Sequence, residues 1–74
     1  MKATAAVREI MEKKGVGLVE LAGKTGKSKQ ATWERVNQDN ISVAKLNELL
    51  SVMGYKVMIV PEDAKAENGW YEAE

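Results

Sequence analysis

Between residues 26 and 37 the chain gathers side chains whose combined chemistry suits the reading of a nucleic acid. Gly26-Lys27-Ser28-Lys29-Gln30 leads into Trp33, Glu34, Arg35 and Asn37. A carboxamide such as Gln30 can form the paired hydrogen bonds that adenine offers at N6 and N7, and Lys29 can reach guanine O6 and N7 or a phosphate. Trp33 can touch a thymine methyl or lay its indole on sugar and backbone, and Glu34 can accept from cytosine N4. Each also has a plainer reading. Lys29 and Glu34 are ordinary solvated charges, and Trp33 packs against a scaffold through its large apolar area. The set is more specific than any member, because Trp, Lys and Gln share one side of a helix that follows a glycine turn.

The same residues raise a rival chemistry, since Gly26-Lys27-Ser28 is the end of a phosphate-binding P-loop. The full motif needs a glycine five residues before Gly26, where Leu21 stands, and a preceding strand, where the chain has a helical pattern. Nucleotide hydrolysis is set aside on that ground.

The elements that must position these groups read as two short helices, about Leu18 to Lys24 and Ser28 to Asn37. Gly26 supplies the positive φ of the turn between them, and Ser28 offers an N-cap. In the first of the pair, Val19 or Leu18 faces inward with Leu21 and Ala22. Free amides beginning near Gly17 can hold a phosphate without any side chain. In the second, Ala31, Thr32, the Arg35 stem and Val36 turn toward the body, and Lys29, Gln30, Trp33 and Asn37 turn away.

The pattern formed by Leu21, Ala22, Gly26, Ser28 and Gln30 resembles the helix-turn-helix of the Cro/C1 (XRE) family of bacterial and phage regulators. The continuation from Glu34 to Pro61 resembles its small members, in which the last helix is followed by a strand. The similarity spans residues 4 to 60. It implies a mainly α, four-helix, lambda-repressor-like domain with one C-terminal β-strand, and double-stranded DNA as partner. It also implies that the Asn37-Gln38-Asp39-Asn40 loop lies along the DNA backbone. Leu18 stands where the family usually places a phosphate-holding glutamine, Gly17 where it has a hydroxyl cap, and Lys27 and Thr32 where Val or Ile is common.

A chain of 74 residues is one domain, and a domain of that size buries only about 60% of its unfolded surface. It has no Cys and no His, so the usual thiol nucleophile, imidazole base and nitrogen or sulfur metal ligands are missing. An enzyme is therefore the weakest class, and no metal or other cofactor is implied. The N-terminus has acids within its apolar stretch, unlike a signal peptide, and no apolar run is long enough to span a bilayer. Cytosol is the expected compartment. The formal net charge is zero, yet residues 1–60 hold ten Lys or Arg against six acids, whereas 61–74 hold one Lys against five. A basic body of residues 1–60 thus carries an acidic tail, 61–74, an asymmetry compatible with DNA binding and with a merely solvated surface.

On the flanks, Thr4 is read as the cap of a first helix whose Ala3, Ala6, Val7, Ile10 and Met11 repeat at the spacing of one buried face, and Gly15 ends it. Ser42 caps a fourth helix, stapled by Ile41 and Leu46, with Val43, Leu46, Leu49, Leu50 and Met53 as its buried stripe and Gly54 as its stop. Met11, Met53 and Met58 read as core filler. Tyr55 to Val60 changes to strand period. With no second strand evident in the chain, Tyr55, Val57, Met58, Ile59 and Val60 are expected to pair with the same strand of another copy. The tail reads as disordered by composition, with Asn68-Gly69 as a turn and Trp70 and Tyr71 as anchors against the body or a partner.

The preferred functional reading is a homodimeric, repressor-like regulator on a near-palindromic operator, with Lys24, Lys27, Lys29 and Arg35 supplying sequence-independent attraction. A second reading makes the chain the antitoxin of a toxin and antitoxin pair, with the tail covering the toxin and autoregulatory DNA binding. A third makes the two-helix unit a protein interaction module without DNA.

Overall fold

A computed structural model describes residues 2–63 and 69–73. Four helices come first: α1 Ala3–Lys14, α2 Leu18–Thr25, α3 Lys29–Val36 and α4 Val43–Ser51. Two strands follow, β1 Val57–Ile59 and β2 Tyr71–Ala73, which form an antiparallel two-stranded sheet. α2 packs on α3 and α4, α1 on α3 and α4, and β1 on α4. No helix among the described residues is long and apolar enough to cross a membrane.

The core draws on every helix. Val7, Leu21, Val36, Leu49, Leu50 and Met53 are buried together, and Ile10, Met11, Val16, Leu18, Ile41, Leu46, Val52 and Val57 pack around them. Full burial of a side chain of the Val or Leu kind contributes about 1.5–3 kcal/mol.

Helix ends follow the local chemistry. α1 and α2 each finish in a paired hydrogen-bond motif: Val16 N–H donates to Met11 O and Gly15 N–H to Glu12 O, then Lys27 N–H donates to Ala22 O (3.0 Å) and Gly26 N–H to Gly23 O. Gly26 holds φ +68°, left-handed backbone that a Cβ disfavours. A Cβ there would meet nothing within 4 Å, so Gly26→Ala tests conformation alone. It is expected to lower stability by about 1–2 kcal/mol, read from the urea midpoint. An unchanged midpoint would mean that the turn tolerates another conformation.

Four expectations need correction here. Thr4 is not the cap of α1: Lys2 holds that position without a side-chain bond, and Thr4 is only 2% exposed. Thr4 lies three residues before Val7, on the same inward stripe, so burial outweighs its capping tendency, and Ala3 falls outside. Val43 is 43% exposed, because Ile41, just ahead of the helix, takes the inward place at that end. Met58 is half-buried on β1 and stands outside the core, unlike Met11 and Met53. Of the alternatives Leu18 and Val19, Leu18 packs inward and Val19 is exposed.

The larger correction concerns the strand. A second strand does exist, and β1 pairs within the chain, with Val57 opposite Ala73, Met58 opposite Glu72 and Ile59 opposite Tyr71. The argument that a solitary strand must seek its mate in another copy therefore fails. The other side of β1 is partly covered as well, since Val57 N–H donates to Asn47 Oδ1 of α4 at 3.3 Å. Trp70 and Tyr71, expected as anchors, remain exposed. Backbone pairing holds this segment in place, not burial of their rings. Gly69 has φ +85°, as a turn requires, whereas its expected partner Asn68 lies outside the described residues.

Lys56 Nζ lies 2.7 Å from Glu72 Oε1 across the two arms. The hydrogen bond from Lys56, reinforced by its charge, holds the Glu72 carboxyl below its ordinary value of 4.5. A carboxyl lowered on folding stabilises the folded state above its unfolded value and loses that contribution as pH falls through the lower, folded one. The amide resonances of Tyr71, Glu72 and Ala73 are therefore expected to weaken on acidification below pH 4.5, and Glu72→Gln should remove that part of the pH dependence. Identical titrations for both proteins would refute the coupling.

Candidate nucleic-acid interface

α3 is built to expose one side and seal the other. Ser28 caps it, with Ala31 N–H donating to Ser28 Oγ at 3.1 Å. Such a cap contributes roughly 1 kcal/mol and sets where the first turn begins. Thr32 and Val36 are 1% and 4% exposed. The buried Thr32 hydroxyl is satisfied by donating to Ser28 O at 2.9 Å. With that side sealed, Lys29, Gln30 and Trp33 fall on the open side, and Trp33 is 52% exposed.

Two contacts set the seat of α3, and neither has a local signal in the sequence. Arg8 of α1 donates through Nη1 to Val36 O, engaging a carbonyl that the helix end leaves without an intrahelical partner. Arg35 Nη1 lies 3.2 Å from Glu48 Oε1 of α4, with the Arg35 side chain 19% exposed. Arg35, expected to add to the general attraction for DNA, is thus occupied in holding α3 to α4. Partners that lie 28 and 13 residues apart become visible only in three dimensions.

The remaining expected residues divide in two. Lys27 and Ser28 form the turn directly before α3 and are exposed. Lys24, Lys27 and Lys29 make no ion pair among the described residues, which leaves three cations around the start of α3 open to an anionic backbone. Gln30 Nε2 donates to Glu34 Oε1 at 3.3 Å. This bond is solvent-exposed, so exchanging it for a base edge costs little.

Asn37 is exposed, but its carboxamide folds back and donates to Trp33 O at 2.8 Å. It closes the end of α3 and does not reach outward. Gly17 stands at the N-cap position of α2. Glu20 lies in that same first turn, where its charge already complements the helix dipole and opposes a phosphate. Asn40 is exposed in the loop before α4, next to Asp39, whose carboxylate pairs with Lys2 at 3.0 Å.

No protein-family model, curated protein or solved structure matches this chain. Among the described residues, no group of three or more His, Cys, Asp or Glu could hold a metal ion. The arrangement consists of a rigidly seated eight-residue helix offering a cation, a carboxamide and an indole from one side. Those groups can hydrogen-bond and stack; none is set beside a partner that would activate it as a nucleophile or base.

Proposed function

We propose that this chain is a sequence-specific double-stranded DNA-binding regulator, repressor-like and of the Cro/C1 helix-turn-helix type, with α3 as the helix that enters the major groove. The supporting observation is the division of α3 into two sides: Thr32 and Val36 sealed, Lys29, Gln30 and Trp33 open. A major groove admits a helix of this width, and residues at its N-terminal end reach base edges first. Gln30 and Lys29 occupy that end and read bases. Trp33, one turn on, lies against a thymine methyl or the sugar edge. Lys24 and Lys27 supply attraction to phosphate that weakens as salt rises.

Reading an operator with so few base contacts calls for two copies. Helices related by a twofold axis enter successive major grooves about 34 Å apart, which makes a near-palindrome the expected target. Selection of bound sequences from a random duplex pool tests this reading. Enrichment of a near-palindrome, with retention lost at high salt, supports it. A pool that emerges without sequence preference, or retention that ignores salt, would favour a protein interaction module and overturn the proposal.

A further inference from the structure

A helix end leaves its last four carbonyls without intrahelical donors, and in α3 each of the four finds one. Asn37 donates through Nδ2 to Trp33 O at 2.8 Å and through its backbone N–H to Glu34 O at 3.3 Å, and Gln38 N–H donates to Arg35 O at 3.2 Å. Those donors belong to the residues that directly follow the helix. The fourth does not: Val36 O accepts from Nη1 of Arg8, 28 residues away on α1. Arg8 makes no ion pair among the described residues, and its positive charge meets the negative end of the α3 dipole. α1 reaches the same region once more, since Lys2 pairs with Asp39 at 3.0 Å. That second contact is exposed on both sides and contributes little. The partly buried bond from the charged Arg8 donor is the stronger of the two.

We propose that Arg8 is a positioning residue for base reading by α3, setting the tilt of that helix from the scaffold without touching base or phosphate itself. The last turn of α3 is tied in two directions, by Arg35 to Glu48 of α4 and by Val36 O to Arg8 of α1. Without Arg8 the Val36 carbonyl loses its partner in a partly buried place and turns toward water, drawing the last turn away from α1. The eight residues of α3 form a rod about 12 Å long, so a shift of about 1 Å at one end tilts it by roughly 5°. Its start is pinned by the Gly26 turn and the Ser28 cap, and the outward side chains swing about that end. Gln30 holds its carboxamide well out from the axis, and a hydrogen bond keeps its strength only over about half an ångström. The inference rests on the DNA-binding reading for what the tilt governs. One arm of its test contains no DNA, so either can fail alone.

The test uses the full chain with Arg8→Met, which keeps an apolar stem and removes the donor, and with Arg8→Lys, which keeps a charged donor. Without DNA, the amides of Asn37 and Gln38 are expected to exchange at least about tenfold faster in Arg8→Met, beyond any change at Leu49 and Leu50, and Arg8→Lys should recover most of the difference. On the selected operator, Arg8→Met should relax the preference at the base pair read by Gln30 by at least about 5-fold, with the salt slope unchanged. Arg8→Met combined with Gln30→Ala should relax it no further than Gln30→Ala alone, because the two act on one contact. A uniform loss of affinity with a shallower salt slope would make Arg8 a phosphate contact and overturn the proposal. So would additive effects in the double variant, a base preference that Arg8→Met leaves intact, or exchange at Asn37 and Gln38 that matches the parent. If the parent selects no duplex at all, the DNA-binding reading fails, and exchange alone decides whether Arg8 sets α3.

Discussion

Leu49→Ala is expected to lower the free energy of unfolding by about 2–5 kcal/mol, the range for truncating a buried leucine. Leu49 is 1% exposed at the centre of the core, on the helix that α1, α2 and β1 all touch. A domain of 74 residues has roughly 4–11 kcal/mol in total at the usual stability per residue. This one substitution therefore consumes a large share, and the urea midpoint should fall steeply. Val43→Ala, on the same helix but 43% exposed, is expected to change stability by less than about 0.5 kcal/mol. Equal effects of the two would mean that the buried stripe of α4 has been misplaced.

Gln30→Ala is expected to lose about 1–3 kcal/mol of discrimination between the selected operator and variants changed at one base pair, roughly a 5- to 150-fold relaxation. Lys27→Ala should act differently. Its ammonium is exposed beside the start of α3 and unpaired among the described residues. Its loss should weaken all duplexes alike and reduce the salt slope by about 1. Neither side chain supports the core, so unfolding midpoints should stay within about 0.5 kcal/mol of the parent. Competition titrations at two salt concentrations separate the two behaviours. Unchanged preference in Gln30→Ala would remove this residue from the reading face.

The helices were legible because their punctuation is local. Ser28 and Ser42 each cap by bonding an amide three residues on, and Gly26 ends α2 through backbone freedom that no other residue type shares. The open side of α3 was legible for a related reason, since the 3.6-residue period needs only Thr32 and Val36 to define what is inside. β2 was not. Tyr71-Glu72-Ala73 is three residues long and carries an acid. Such a segment becomes a strand only through pairing with β1, a contact between distant parts of the chain that alternation over three positions cannot signal. Asn37 misled in another way, because side-chain polarity predicts exposure but not that the carboxamide will turn back to its own helix.

Asn47 and Glu48 are neighbours on α4, yet one accepts from the β1 backbone and the other holds Arg35 of α3. Adjacent residues on a helix diverge by about 100°, so a single turn of α4 serves as a bracket with an arm toward each neighbour. Substitutions that rotate or fray this turn should disturb the pitch of α3 and the seating of the ribbon in the same proteins. Substitutions on α4 should accordingly be tolerated at solvent-facing positions such as Ala44 and Lys45 and felt at these two polar residues as well as at buried Leu49 and Leu50, although composition alone would class Asn47 and Glu48 as ordinary surface.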